Sequence, residues 1–219
     1  MKIIRLSVLL VAICGTLLAN AQIRGIDVSK YQGTINWTKV ASDKSIKFVY
    51  IKATEGTTIQ DPCYKTNIKN AKKAGILVGS YHLYSGKTTA YQQFDNFKSV
   101  VKKNEQDLIP VLDIEEIQGR NLYKKRVDKL LELMELEYGV KPIIYTCEKV
   151  YWEHFSGKEY EQYQIFIANY NRYPSTRFTL WQHSQTGRVP GIKGPVDLDK
   201  FHKNKGLDDI KLPKPKTNQ

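Results

Sequence analysis

LIPVLDIEE, from Leu108 to Glu116, is an apolar run that closes on carboxylates two positions apart, Asp113 and Glu115. In a strand, side chains at i and i+2 share a face, so both carboxylates point the same way, separated by roughly 6.6 Å along the chain. The residues before them are nearly all apolar, the pattern of a parallel strand covered on both faces. An Asp and a Glu at the exit of such a strand can divide acid and stabilising roles between them. Taken alone, the pair reads more readily as the solvated end of an ordinary strand.

Similar apolar segments recur along the chain: Ile23 to Val28, Phe48 to Ala53, Ile76 to Leu83, Leu108 to Ile114, Pro142 to Tyr145, Ile165 to Ala168, Phe178 to Trp181 and Val196 to Phe201. Helical patterns separate several of them. Tyr64 to Ala74 ends at Gly75, a residue suited to a C-cap. Thr88 to Lys103 sets Tyr91, Phe94, Phe97 and Val101 at three- and four-residue intervals, and Asn121 to Tyr138 stops at Gly139 with Pro142 beyond. Strands alternating with helices predict a parallel α/β fold. About eight strands predict an irregular (β/α) TIM-like barrel, with a reduced set of helices because the later connections are short. A doubly wound open sheet is the structural rival. The barrel is favoured by polar residues at or just past the expected strand ends, where one rim would gather them: Asp27, Glu55, His82, Asp113, Glu115, Tyr145, Asn169, Gln182 and Asp197.

The first residues carry a targeting pattern. Lys2 and Arg5 precede an apolar run from Leu6 to Leu18, and Ala19-Asn20-Ala21 fits a small-x-small cleavage site. This predicts a secretory signal peptide over residues 1–21, a barrel domain over 22–211 and a flexible tail over 212–219. The product would be secreted or periplasmic, with no membrane association after cleavage. The 34 basic and 22 acidic residues give a net charge of +12, which falls to +10 without Lys2 and Arg5. That balance favours an anionic partner such as a cell wall. The lysines are scattered, without the clustered bases and interleaved aromatics of a nucleic-acid binder, so no nucleic-acid partner is expected. Cys63 and Cys147 are compatible with a disulfide or with free thiols. No metal-ligand spacing, phosphate loop or nucleophile elbow is present, so no metal or other cofactor is expected. Nothing in the chain demands more than a monomer.

GIDVSKYQGTINW from Gly25, IKATEG from Ile51, GSYHLYS from Gly79, VLDIE from Val111, IIYT from Ile143, IANY from Ile167, LWQHS from Leu180 and VDLDKF from Val196 occur in this order. Together they resemble the glycoside hydrolase family 25 lysozymes, the Chalaropsis-type N-acetylmuramidases. The resemblance implies hydrolysis of the β-1,4 bond between N-acetylmuramic acid and N-acetylglucosamine, with peptidoglycan glycan strands as the partner. It makes Glu115 the general acid, Asp113 its companion, and Asp27 and Asp197 the remaining catalytic carboxylates. Asn36 stands where the opening motif often has Asp, and Leu83 where Phe is common.

Cleaving a glycosidic bond needs a proton for the departing oxygen and stabilisation of an oxocarbenium-like centre. Glu115, nearer the rim and one methylene longer, suits the proton donor. Asp113 is expected to stay ionised and to orient the 2-acetamido group, whose oxygen attacks the anomeric carbon. Direct water attack with inversion, using Asp27 or Asp197 as base, is the competing route. Tyr31, Tyr81, Tyr84, Tyr145, Tyr170 and Trp181 are candidates for stacking on sugar rings, with Glu55, Asn169 and Gln182 as polar substrate-binding residues. His82 reads more readily as a satisfied buried histidine. A catalytically silent peptidoglycan- or chitin-binding module and a chitin-type hydrolase are the alternatives.

Overall fold

The computed structural model describes residues 23–115 and 120–213. The expected signal peptide and residues 214–219 of the expected tail lie outside them. The strands are β1 (Arg24–Val28), β2 (Ile46–Glu55), β3 (Ile59–Gln60), β4 (Leu77–Leu83), β5 (Val111–Asp113), β6 (Ile143–Cys147), β7 (Ile165–Ala168), β8 (Leu180–Gly187) and β9 (Val196–Phe201). Their order, β1-β9-β8-β7-β6-β5-β4-β2, closes on itself through a β1–β2 pairing, which makes an eight-stranded barrel. The short β3 only folds back on the end of β2. This is the irregular barrel expected from the sequence, and the open sheet is excluded.

One strand departs from the parallel expectation. Neighbours from β1 through β2 and β4 to β8 pair in parallel, whereas β9 runs antiparallel to both β8 and β1. The reason is chain length. Only residues 188–195, with Pro190, Gly191, Gly194 and Pro195 among them, join β8 to β9. A parallel crossover needs a dozen or more residues. The reversal brings the start of β9, instead of its end, to the rim formed by the other strands' C-terminal ends. Strand β5 is also shorter than the apolar run, because Pro110 has no N–H to give a ladder.

The helices are α1 (Trp37–Val40), α2 (Tyr64–Lys73), α3 (Ala90–Val100), α4 (Arg120–Tyr138), α5 (Glu148–Val150) and α6 (Leu207–Ile210). Their ends follow local chemistry. Asn36 caps α1 by accepting from the Lys39 N–H at 3.0 Å, which an Asp would do equally well. Thr89 and Gln92 form a reciprocal capping box at the start of α3. Gly75 and Gly139 close α2 and α4 at φ of 81° and 71°, conformations natural to glycine. Between β6 and β7 only short helical turns occur, and none lies between β7 and β8 or between β8 and β9. The outer ring is therefore incomplete.

The two faces of the sheet bury different things. Outside, Val49, Ile51, Ile68, Phe97, Leu130 and Met134 pack between strands and helices. Inside, Phe48, Tyr50, Val111, Ile143, Phe166 and Phe201 fill the lower barrel. The Phe48 and Phe201 rings lie 5.2 Å apart, and the Tyr50 hydroxyl donates to the Ile109 carbonyl at 3.2 Å. Gly25 and Gly79 make room for this plug. A Cβ on either would sit 2.1 Å from the Phe48 ring or 2.4 Å from the Tyr50 ring. Fully burying a large apolar side chain contributes roughly 1.5–3 kcal/mol. The plug thus supplies favourable burial directly beneath the polar mouth. Cys63 and Cys147 are free and half-buried. Leu212, at the start of the expected tail, still donates its N–H to the Asp107 carbonyl at 2.9 Å.

Candidate active site

Alternation along the strands, together with the reversal of β9, places the acidic residues. Asp27 near the end of β1 and Asp197 near the start of β9 are direct cross-strand partners. Asp113 ends β5, and Glu115 follows it as an exposed residue at the opening. These four carboxylates line one cavity of about 230 Å³ with Tyr50, Tyr81, Tyr145, Phe166, Tyr170 and Gln182. A contiguous recess of about 400 Å³ shares all four and adds Tyr31, Gln32, Lys52 and Glu55. The mouth is a cleft, and the cluster is not sealed beneath the core.

Gln182 is the polar hub. Its amide nitrogen donates to Asp27 Oδ2 at 2.6 Å, while its oxygen accepts from the Tyr145 and Tyr170 hydroxyls at 2.8 and 2.5 Å. Two aromatic residues and one carboxyl are thereby held in a single orientation. On the other side, Lys52 bonds Glu55 at 2.7 Å with its side chain mostly buried. These residues are three apart, a spacing that strict strand alternation would put on opposite faces. The register of β2 against β4 shifts between Lys52 and Thr54, and this bulge turns both toward the mouth.

Crowding governs the charges. Burial first, then Asp197 and Glu115, push the Asp27 carboxyl well above the usual carboxylate range, while the Gln182 bond opposes them. Asp113 is likewise pushed well up, by burial and then by Glu115 and Asp27, with the Lys52 ammonium opposing. Its Oδ1 is buried and meets no donor. These influences act against the ionised Asp113 expected from the sequence, and only Lys52 among them supports the charge. Asp197 is raised by burial, against a hydrogen bond from Asp27 that lowers it. Burial and then the neighbouring aspartates also push Tyr81 and Tyr145 well up, keeping both hydroxyls as donors.

The remaining sequence candidates divide. Tyr31 projects from the rim, 80 % exposed, and lines the recess, as Glu55 and Tyr81 do. Tyr84 is buried edge-to-face against Tyr123, with ring centroids 5.2 Å apart, and borders only a side recess shared with Glu55 and Glu115. Asn169 is occupied in its own loop, donating to Glu148 at 2.6 Å and accepting from the N–H groups of Asn171 and Arg172. Trp181 alternates with Gln182 and so faces away from the barrel interior. Its indole N–H donates to the Asn169 carbonyl at 2.7 Å, and Lys200 lies 4.1 Å above its ring. His82 is buried between Thr54 at 2.7 Å and Gln93 at 3.2 Å, and burial pushes it down to about 4, so it is neutral packing. Sequence reasoning missed Lys52, Gln185 and Asp199. Alternation from Tyr50 and from Asp197 carried a signal for Lys52 and Asp199; Gln185 carried none.

Residues 26–192 match the model of the glycosyl hydrolases family 25. The protein YegX of Escherichia coli (strain K12), itself uncharacterised, is 36% identical over 195 residues, covering 84% of this chain and 71% of that protein. Lysozyme M1 of Streptomyces globisporus is 32% identical over 204 residues, covering 82% of this chain and 68% of its own. Among solved structures, a family 25 glycosyl hydrolase from Bacillus anthracis superposes with a TM-score of 0.77 at 30% identity, covering 87% of this chain and 96% of that one.

The raised Asp113 carboxyl has a stability consequence. A carboxyl raised on folding contributes stability in full below its unfolded value of 3.8, and loses that contribution as pH climbs through the folded value. Asp113→Asn removes the penalty. The Tm of the variant minus that of the wild type should therefore rise by about 3 °C or more between pH ~4 and ~8. A difference that stays flat across this range would show that Asp113 titrates alike in both states.

Proposed function

The chain belongs to glycosyl hydrolase family 25, and on that premise we propose that it is an exported, monomeric lysozyme. In this reading it cuts the β-1,4 bond between N-acetylmuramic acid and N-acetylglucosamine in peptidoglycan. The name of Lysozyme M1 supports the substrate class. The observation that carries the reading is the meeting of Asp27, Asp113, Glu115 and Asp197 in one tyrosine-lined cavity. Support for export comes from the basic start, apolar run and Ala19-Asn20-Ala21 of the sequence. Among the described residues no helix is long and apolar enough to cross a membrane.

Glu115 is the proton donor. It stands at the opening, where a glycosidic oxygen arrives first, and it has the longer side chain of the Asp113–Glu115 pair. A pyranose seated in the cleft displaces water, which favours the neutral acid until the bond breaks. Asp113 lies deeper, at the end of β5, and takes the 2-acetamido group. One of its carboxyl oxygens would accept the amide N–H. That hydrogen bond strengthens as positive charge builds on the oxazolinium-like centre. The departing oxygen takes the Glu115 proton, and the same carboxylate later accepts a proton from the water that opens the intermediate. Asp27, fixed by Gln182, and its partner Asp197 form the floor beside this water. Tyr31, Tyr81, Tyr145 and Tyr170 offer ring faces and hydroxyls to the sugars on either side. Lys52 and Glu55 bound the recess as an ion pair and limit how the charges can be redistributed.

Glu115→Gln keeps the shape of the donor and removes its acidity. Its kcat on purified peptidoglycan should fall by roughly 10²–10⁴-fold, with sedimentation on intact sacculi little changed. Near-normal turnover in this variant would assign the proton to another group. Proton NMR of the first-formed reducing end should show the β anomer, as acetamido participation requires. An α product formed first would instead indicate direct water attack.

A further inference from the structure

Asp199, beneath the barrel mouth, is an acidic residue that the scheme above leaves without a task. Its side chain is fully buried, and neither carboxyl oxygen meets a donor. It lies two residues beyond Asp197 on β9 and so shares its inward face, one pleat deeper, with Phe201 below. Across the ladders its backbone partners are Gly25 on β1 and Gln182 on β8. Because Gly25 has no side chain, the inward neighbour of Asp199 on β1 is Asp27, diagonally opposite and within reach of two short carboxyl side chains.

The groups facing Asp199 cannot supply it with a proton donor. From β2, the Tyr50 hydroxyl is committed to the Ile109 carbonyl at 3.2 Å. From β8, the Gln182 amide is turned to Asp27 at 2.6 Å. From β1 and from β9 itself come only more carboxyls, Asp27 and Asp197, and both disfavour a charge on Asp199. An ionised carboxylate with no donor and no cation is the costliest group to bury, and the usual resolution is that it keeps its proton. Asp27 directs its own hydrogen bond to Asp197, so toward Asp199 it is left to accept.

We propose that Asp199 is a positioning residue, a carboxylic acid whose O–H donates to Asp27 from below and fixes that carboxyl at the floor of the mouth. Asp27 is then gripped from two sides, by the Gln182 amide and by the Asp199 hydroxyl. One donor is neutral by nature and the other is neutral by burial. The arrangement leaves Asp27 turned toward Asp197 and the cavity above. Its mechanistic meaning rests on reading that cavity as the glycosidic site, but the hydrogen bond itself does not.

Two variants of the full chain test it. Asp199→Asn keeps the size and an N–H donor, whereas Asp199→Leu keeps the approximate size and removes the donor. Infrared spectroscopy at neutral pH, with deuterium exchange to identify the band, should show one buried carboxylic-acid carbonyl fewer in Asp199→Asn than in the wild type. On peptidoglycan, Asp199→Leu should lose roughly tenfold to a hundredfold in kcat with little change in KM, as expected for a lost hydrogen bond to a carboxyl group. Asp199→Asn should recover most of that loss. An unchanged acid band in Asp199→Asn would overturn the proposal, whatever the enzyme does to peptidoglycan. So would equal activity in all three proteins, or an Asn variant as impaired as the Leu variant. If the wild type fails to cut peptidoglycan while the acid band is lost as expected, the protonated Asp199 stands and the substrate reading falls.

Discussion

Mutual repulsion among carboxyl groups is the constraint on which the rest of this barrel depends. Asp27, Asp113, Glu115, Asp197 and Asp199 converge on one end of it, and Lys52 is the ammonium that reaches them. Five full charges in so small a space, with Asp113 and Asp199 buried, would cost more than the fold can supply. The barrel resolves this by keeping protons. Burial raises Asp27, Asp113 and Asp199, while Gln182 and Lys52 bring limited relief. A site that holds several protons beside a cleft is also one suited to acid catalysis. Structural cost and chemical use therefore share one cause.

The aromatic plug and the reversed strand make such crowding possible. Phe48, Tyr50, Phe166 and Phe201 close the lower barrel, so the carboxyls rest on a largely apolar floor and open only upward. Had β9 run parallel, the alternation along it would still have pointed Asp197 inward, but at the opposite end of the barrel. The short connection over residues 188–195 forces the antiparallel course and pairs Asp197 with Asp27. A constraint on chain length thus decides which carboxylates meet.

Much of this was legible in the residues. Apolar runs located all eight barrel strands, and Gly75 and Gly139 marked helix ends, because periodicity and capping are local properties. The i, i+2 spacing of Asp113 and Glu115 correctly placed both at the same mouth. What was not legible depends on neighbours distant in sequence. The direction of β9 follows from a competition between loop length and closure. The bulge that brings Lys52 to Glu55 needs the pairing with β4. The protonation of Asp113 depends on what surrounds it, and an isolated strand pattern says nothing of that. Trp181 and Gln182 illustrate the opposite case: adjacent residues on a strand cannot both face the cavity, and alternation alone identifies which one does.

Cleavage-site analysis tests the account most directly. Purified sacculi and chitin oligomers would be digested in parallel, reduced with borohydride, and their new ends identified by mass spectrometry. The account predicts reduced N-acetylmuramic acid ends from sacculi and little cleavage of chitin. New N-acetylglucosamine ends from sacculi, preferential cleavage of chitin, or no new ends from either polymer would contradict it.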